Sequence, residues 1–338
     1  MVTIYDIAKR ANVSPMTVSR VINNSKQISE STRQKVQAVI EELGYIPNSA
    51  ARSLISKKTK ILSLLITDIT NPFFTRVARG AEDKAKQFGY QILLSNTDED
   101  FKKEEDYIDM LLSTNVDGVL LAPTGDQSKK NIKKLIKRDI PFVLLDREIE
   151  GIESDIVLGD SYEGTRKLIE HLIQQGHKKI ALINGPLSVS TARERHKSYI
   201  ETLKLSNLKV NHDLISEIGY NKDDADTIIK NLISLPKFER PTAIFAANNF
   251  IAVNAIKALR KFGYEVPKDM SIVCFEDFEP ITGFNPFLTA AIQPAYSFGY
   301  TGIQFLIERI EGKAPKEYRK IVLSPEIVIR ESSRLIKK

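Results

Sequence analysis

Residues 3–23 read TIYDIAKRANVSPMTVSRVIN, two short helical patterns separated by a polar break. Thr3 is placed to cap the first helix, and Asp6 three residues on completes a capping box that suits the positive end of the helix dipole. Ile4, Ile7, Ala8 and Ala11 recur at helical spacing before Asn12-Val13 break the run. Ser14 is an N-cap residue, and Pro15 takes the first helical position, where a missing N–H costs nothing. Val18, Val21 and Ile22 give the second helix an apolar face, which turns Met16, Thr17, Ser19, Arg20 and Asn23 outward. A short helix with a polar, basic outer face matches the recognition helix of a helix-turn-helix. Capped amphipathic pairs also occur in ordinary helical proteins, so neighbouring sequence must decide.

Two neighbouring features do. Ser31-Thr32-Arg33-Gln34 reads as another capping box, with Val36, Val39, Ile40 and Leu43 continuing a third helix and Gly44 ending it. Residues 1–60 also carry ten Lys/Arg against four acids, so the whole net charge of +6 sits there and the rest of the chain sums to zero. A basic excess confined to one small helical unit is the footprint of a phosphate-rich partner.

The chain's 338 residues predict two or three domains with room for a sizeable core. The single cysteine, Cys274, leaves no disulfide framework or cysteine metal cluster, and fits a reducing compartment. His171, His177, His196 and His212 share no metal-ligand spacing, so neither a metal nor a cofactor is expected. The opening MVTIYDIAKR has no apolar signal segment and no run is long enough to span a bilayer; a cytoplasmic protein without membrane contact is the expectation.

Pro47-Asn48 mark a boundary, and SAARSLIS (49–56) is helix-compatible but too short to stand alone, so it orders only against a partner. From Ile61 onward β-rich runs alternate with helical runs. The strands read ILSLLIT, YQILLSN, DGVLLAP, PFVLLD, DIVLG, KIALING, LISEIG, AIFAAN, SIVCFED, TAAIQP and KIVLSPEIVIR. Helices are expected at Arg76–Phe88, Glu104–Ser113, Lys129–Lys137, Gly164–Gln175, Ala192–Leu205, Asp224–Ser234, Phe250–Phe262 and Tyr300–Ile310. This predicts an α/β core of parallel sheets covered on both faces, arranged as two similar lobes with ligand space at the carboxyl ends of the strands. The boundaries are 1–46 for an all-α headpiece, 47–60 for a hinge helix and linker, and 61–338 for the core. Within the core, 61–160 with 294–322 form one lobe and 161–293 with 323–338 the other. Dinucleotide, P-loop, zinc-protease and nucleophile-elbow motifs are all missing.

The strand ends carry a repeated chemistry: Asp68 with Asn71, Phe73 and Phe74, then Asp146-Arg147, Arg195 in STARER, Tyr220, Asn248, Glu276 and Gln293. Carboxylate, guanidinium, carboxamide and aromatic groups at one topological place suit a hydroxyl-rich ring, whose hydroxyls need donors and acceptors and whose C–H face needs a flat wall. Taken singly, Asp146-Arg147 also reads as a salt-bridged strand end, Asn248 as a helix cap, and Phe73 and Phe74 as core.

Nearly the whole chain resembles the LacI (lactose-repressor-type) family, in its ribose- and purine-repressor-like branch. The resemblance is carried by TIYDIAKRANVSPMTVSRVIN, LGYIPNSAARSL, NPFF, LLDR, GHKKIALINGP and LTAAIQP. It implies a two-lobed periplasmic-binding-protein-like core and a homodimer on a near-palindromic double-stranded DNA operator. Pro15, Met16 and Arg20 match base-reading positions, with Thr17, Ser19 and Asn23 at or near the backbone; Thr3, Tyr5 and Ser14 are further expected DNA-binding residues. Leu54 matches the residue that wedges into the minor groove, with Ala51, Arg52 and Ile55 beside it. Asn71, Phe73, Asp146, Arg147, Arg195, Tyr220, Asn248 and Gln293 match the positions of a sugar pocket, but Glu276 stands where Asp is usual and Cys274 where glycine is, which alters the pocket's size. Two arginines near the cleft also admit a carboxylate or phosphate on the ligand. The function implied is a repressor controlled by a small sugar or sugar derivative; an activator, a corepressor-dependent regulator with another effector, and a sugar-binding protein without DNA function are the alternatives. An enzyme using Asp146 and Glu276 as a carboxylate pair has no further support.

Overall fold

The computed structural model describes residues 2–22, 25, 27–45, 58–220, 225–276 and 286–336. The chain divides into two compact units, Met1–Thr59 and Lys60–Lys338.

The first unit holds α1 (Ile4–Ala11), α2 (Pro15–Ile22) and α3 (Glu30–Glu42). The capping box at Thr3 forms in both directions: Thr3 N donates to Asp6 Oδ2 at 2.8 Å and Asp6 N to Thr3 Oγ1 at 3.4 Å. Asn12 ends α1 in the left-handed region at φ 51°, and Ser14 Oγ accepts from Thr17 N at 3.1 Å to start α2. Ile7, Ala8, Ala11, Val18, Val21, Val36 and Val39 make one small buried core. The third helix is capped by Ser29, not Ser31: the Ser29 side chain accepts from Thr32 N, two residues before the expected box. Ser29 wins because its backbone is extended there, as an N-cap requires.

The second unit begins β1 (Ile61–Ile66), α4 (Pro72–Gln87), β2 (Gln91–Asn96), α5 (Phe101–Thr114), β3 (Gly118–Leu121), α6 (Lys129–Lys137), β4 (Phe142–Leu145) and β5 (Asp155–Gly159). It continues α7 (Ser161–Gln174), β6 (Ile180–Asn184), α8 (Ser190–Leu205), β7 (Ile215–Glu217), α9 (Ala225–Ser234), β8 (Ala243–Ala246), α10 (Asn249–Lys261) and β9 (Ser271–Phe275). It ends β10 (Thr289–Ile292), α11 (Ala295–Ile310), β11 (Lys320–Leu323) and β12 (Glu326–Val328). Two six-stranded sheets result, ordered β11-β5-β4-β3-β1-β2 and β12-β10-β9-β8-β6-β7. All pairings are parallel except β10 with β12. The chain crosses between lobes after β5, after β10 and between β11 and β12.

Three sequence expectations change. KIVLSPEIVIR is two strands in different sheets, divided at Ser324-Pro325, because the proline supplies no ladder N–H and the segment carries the last crossover. Helices α4, α5, α7 and α11 start three to five residues earlier than the apolar spacing suggests; Asn71, Asp100 and Asp160 cap the first three from positions not read as caps. Strand β2, at a sheet edge, leaves Leu93 and Leu94 more than a third exposed, so not every strand is covered on both faces.

Two glycines shape the crevice. A Cβ on Gly159 would lie 1.4 Å from Gln293 Oε1, and one on Gly185 would lie 2.2 Å from the Tyr220 ring. Only glycine lets these two side chains lie against the strand ends.

Candidate functional site: a buried cleft and an exposed helix

All eleven strand-end residues named from the sequence line one narrow cavity between the lobes, with about 40 Å³ of water-accessible space. Asp68, Asn71, Phe73, Phe74, Asp146 and Arg147 come from one lobe, and Arg195, Tyr220, Asn248 and Glu276 from the other, with Gln293 at a crossover. That room is well below a small-molecule pocket's, so a ring-sized ligand enters only when the lobes part. Several single-residue alternatives are realised as well. Asn71 Oδ1 accepts from Phe73 N and Asn248 Oδ1 from Ile251 N, so both cap helices that begin at the cleft. Phe73 and Phe74 pack edge to face with ring centroids 5.0 Å apart and belong to the lobe's buried core as well as the cavity wall.

Asp146 and Glu276 occupy matching places, each directly after a central strand and each in left-handed backbone, at φ 63° and 58°. Such conformations cost about 1–3 kcal/mol and persist where surrounding structure fixes them. Here the fixing bonds are Asp146 N to Val157 O (2.8 Å) and Glu276 N to Ala291 O (3.0 Å). Burial pushes the Asp146 carboxyl upward against the pull of Arg147 and Arg195. Burial raises Glu276 to about 7, opposed by hydrogen bonding from Gln293. Glu276 therefore titrates near neutral pH.

The sequence reading missed Glu99, Thr191, Ala247, Phe250 and Phe275, which complete the lining. Glu99 matters most. Its carboxylate takes both terminal nitrogens of Arg147 at 2.6 Å each, and Arg147 Nη1 also donates to Pro123 O at 2.9 Å. The strand-end rule applied to YQILLSN points to the following TDED but does not single out Glu99 within it. Asp98 and Glu99 are consecutive left-handed residues, and this turn brings Glu99 to the cleft. Arg195 donates to Ala247 O at 2.8 Å and lies over the Phe275 ring, 4.2 Å from its centroid. Arg147 Nε, Arg195 Nε and Gln293 Oε1 are buried without a hydrogen-bond partner. Unpaired buried polar atoms cost free energy, so their clustering marks a place where a ligand supplies the partners.

The lobes touch across the mouth. Asn249 Nδ2 reaches Asn71 Oδ1 at 3.4 Å. Arg193 pairs with Asp126 at 2.6 Å, Asp126 N donates to Ser188 O, and Glu148 N donates to Ser190 Oγ. Among the described residues, no group of three or more His, Cys, Asp or Glu could hold a metal ion, and no helix is long and apolar enough to cross a membrane.

In the first unit, Tyr5 is 70% and Met16 63% exposed, and Thr3, Ser14 and Arg20 are exposed beside them. Pro15, Thr17 and Ser19 are half-buried. Thr3 and Ser14 spend their side chains on helix caps. Asn23, Ala51, Arg52, Leu54 and Ile55 lie outside the described residues.

Comparison with known proteins agrees with this layout. Residues 3–48 match the family model for bacterial regulatory proteins of the lacI family, and residues 58–330 match that for periplasmic binding proteins and the sugar binding domain of the LacI family. The chain is 34% identical over 333 residues to the HTH-type transcriptional repressor PurR of Aliivibrio salmonicida, covering 98% of this chain and 99% of that protein. It is 35% identical to PurR of Vibrio campbellii, with 98% of each covered. Among solved structures it resembles the lac repressor dimer bound to operator and the anti-inducer ONPF, with TM-score 0.85 and 27% identity over 98% of this chain and 99% of that one. It also resembles a complex of the transcriptional regulator CelR with cellobiose, with TM-score 0.72 and 28% identity over 98% of this chain and all of that one. The chain belongs to the LacI family, and it is a DNA-binding transcriptional repressor of that family rather than an enzyme.

Proposed function

We propose that operator binding by this repressor is controlled by a monosaccharide-sized, hydroxyl-rich effector held between the core lobes. The observation that carries the reading is the convergence of carboxylate, guanidinium and carboxamide groups on one cavity in which Arg147 Nε, Arg195 Nε and Gln293 Oε1 have no hydrogen-bond partner. Each hydrogen bond from a ligand hydroxyl to a charged group adds about 1.5–3 kcal/mol. The Phe250 and Tyr220 rings line the cavity on the side of its C–H face, while the Phe275 ring is taken by Arg195. The effector couples to DNA by binding one lobe arrangement more tightly than another, and the contacts across the mouth are those that change with closure.

On the DNA side the reading is a homodimer on a near-palindromic operator. Met16 and Arg20 read bases, Arg20 by a bidentate bond to guanine and Met16 by contact with a thymine methyl. Leu54 enters the minor groove, so Leu54→Ala weakens operator binding while leaving effector affinity intact.

The second reading is a purine effector, favoured by the likeness to the PurR repressors over nearly the whole chain and by the aromatic walls. A thermal-shift panel of pentoses, hexoses and purine bases, followed by operator gel shifts with each hit, separates the two, because specific binding raises the melting temperature by mass action. A pentose or hexose that raises it and alters operator occupancy supports the sugar reading. A response confined to purines replaces it.

A further inference from the structure

The charge inventory of the cleft carries the proposed function further, and the step rests on that reading because it concerns which small molecules the same cavity accepts. Two guanidinium groups give the sequence the look of an anion site, but the geometry takes one of them away. Arg147 is 4% exposed, both of its terminal nitrogens bond Glu99, and Nη1 is shared with the carbonyls of Pro123 and Thr124. A guanidinium in a buried bidentate pair is neutral as a unit, and its fork no longer offers the two parallel donors that phosphate or carboxylate recognition uses.

Arg195 is the remaining cation. Its charge acts on Asp146 and Glu276, and its face is covered by Phe275. Asp68, Glu99, Asp146 and Glu276 set four carboxyl groups against two guanidiniums around the cavity, so that even with protons on both Asp146 and Glu276, the two raised by burial, the balance is neutral and not positive. The positive ends of α4 and α10 lie at the cleft, but the Asn71 and Asn248 side chains each take up one of their free N–H groups.

We propose that the cavity selects an uncharged ligand, and that Glu99 sets this preference by withdrawing Arg147 from anion recognition. The free sugar is then accepted and its phosphate or uronate refused. The backbone fixes Glu99 in this position. Its N–H donates to Thr67 O at 3.0 Å, and the left-handed turn at Asp98 and Glu99 carries its side chain back from β2 to the cleft.

Calorimetry on the full chain tests this with paired probes: D-ribose against D-ribose 5-phosphate, and D-glucose against D-glucose 6-phosphate and D-glucuronate. In the wild type the neutral member of a binding pair is at least ten-fold tighter, and Glu99→Gln narrows that ratio at least ten-fold while Glu99→Asp keeps it. A wild type that binds phosphate or uronate as tightly as the free sugar overturns the proposal, as does an unchanged ratio in Glu99→Gln. Inorganic phosphate supplies a readout that does not need a sugar. It stabilises Glu99→Gln more than wild type, because Arg147 then keeps only its longer 3.7 Å Nε contact with Asp146 and its two terminal nitrogens no longer bond a carboxylate; the basic headpiece contributes equally to both. Equal stabilisation overturns the charge rule. Failure of every sugar with this phosphate difference intact overturns the sugar reading instead.

Discussion

Arg147 meets Glu99 at 2.6 Å in the cleft, and Arg10 meets Glu42 at 2.7 Å between α1 and α3. On distance alone the pairs are equivalent. Their side chains are 5% and 15% exposed in the cleft, but 62% and 51% exposed in the headpiece. A buried pair is weakly screened and each partner depends on the other, whereas a water-exposed pair leaves two hydrated ions when broken. The contrast extends to function. The core presents its chemistry inward, on groups already engaged with one another, while the headpiece presents Tyr5, Met16 and Arg20 outward from a small apolar core. Ligand recognition and stability should therefore be coupled in the core and separable in the headpiece.

The largest effect should come from Arg147→Ala. It leaves the Glu99 carboxylate facing the cleft without its cation, and removing one member of a buried pair costs about 3–5 kcal/mol. Urea unfolding of the full chain should show that loss in the core transition, together with loss of any effector response. A loss below about 1 kcal/mol would mean the cleft pair behaves like a surface pair, and the comparison would fail at its stronger end.

Acid should also separate the two regions. Burial lowers His177 to about 4, and His171 is lowered for the same reason. His177 Nε2 lies 3.1 Å from Arg334 O, so it donates, and Nδ1 at 2.9 Å from Thr242 Oγ1 accepts. The folded core holds the neutral ring, while the unfolded chain takes up a proton near the reference value of 6.5. Stability from this group is complete above that value and declines as pH falls toward 4, by at most about 3 kcal/mol. Glu276 tilts the other way: its raised value makes the folded core hold a proton more tightly, so its contribution declines as pH rises toward 7. The effect is therefore read as wild type minus His177→Gln, between pH 7.5 and 4.5. No histidine occurs before His171, so the headpiece transition should lack this component; an identical slope in the variant would remove the buried histidine from the account.

Smaller in energy but decisive for separability is Arg20→Ala. Its exposed side chain should cost about 1–3 kcal/mol of operator discrimination with no shift in either unfolding transition. Anisotropy titrations against an operator selected from a random library, with single-base variants, check it. Loss of melting temperature in step with affinity would show that α2 does not divide its faces as described.

The legible and illegible parts of the sequence follow the same division. The cleft was readable because parallel strands expose their carboxyl ends to one crevice, so that Asp146, Arg195, Glu276 and Gln293 could be gathered by topology without knowing any contact. Glu99 escaped because its place depends on two consecutive left-handed residues, which neither Asp98 nor Glu99 announces as a glycine would. Asn248 was readable as a cap or as a cleft residue but not as both, and Asn71 only as a cleft residue, although capping uses one side-chain oxygen and leaves room for a second role. The division of KIVLSPEIVIR was hidden because Pro325 is compatible with an edge strand and only the topology sends its halves to different sheets. In the headpiece the caps at Thr3 and Ser14 are local, and local rules found them; at α3 two serines competed, and backbone geometry chose Ser29.

Arg10→Ala should do least, and its smallness is the sharpest check on the comparison. Glu42 remains hydrated when Arg10 goes, α1 keeps its Thr3–Asp6 cap, and the buried contacts of Ile7, Ala8 and Ala11 are untouched. The headpiece transition should therefore stay where it is, at low and at high salt alike. Operator affinity should fall slightly through the lost positive charge, with a shallower dependence on salt concentration. A clear drop in headpiece stability that disappears in 1 M salt would instead make Arg10–Glu42 a structural clamp between α1 and α3. Burial would then no longer be what separates two ion pairs of nearly equal length.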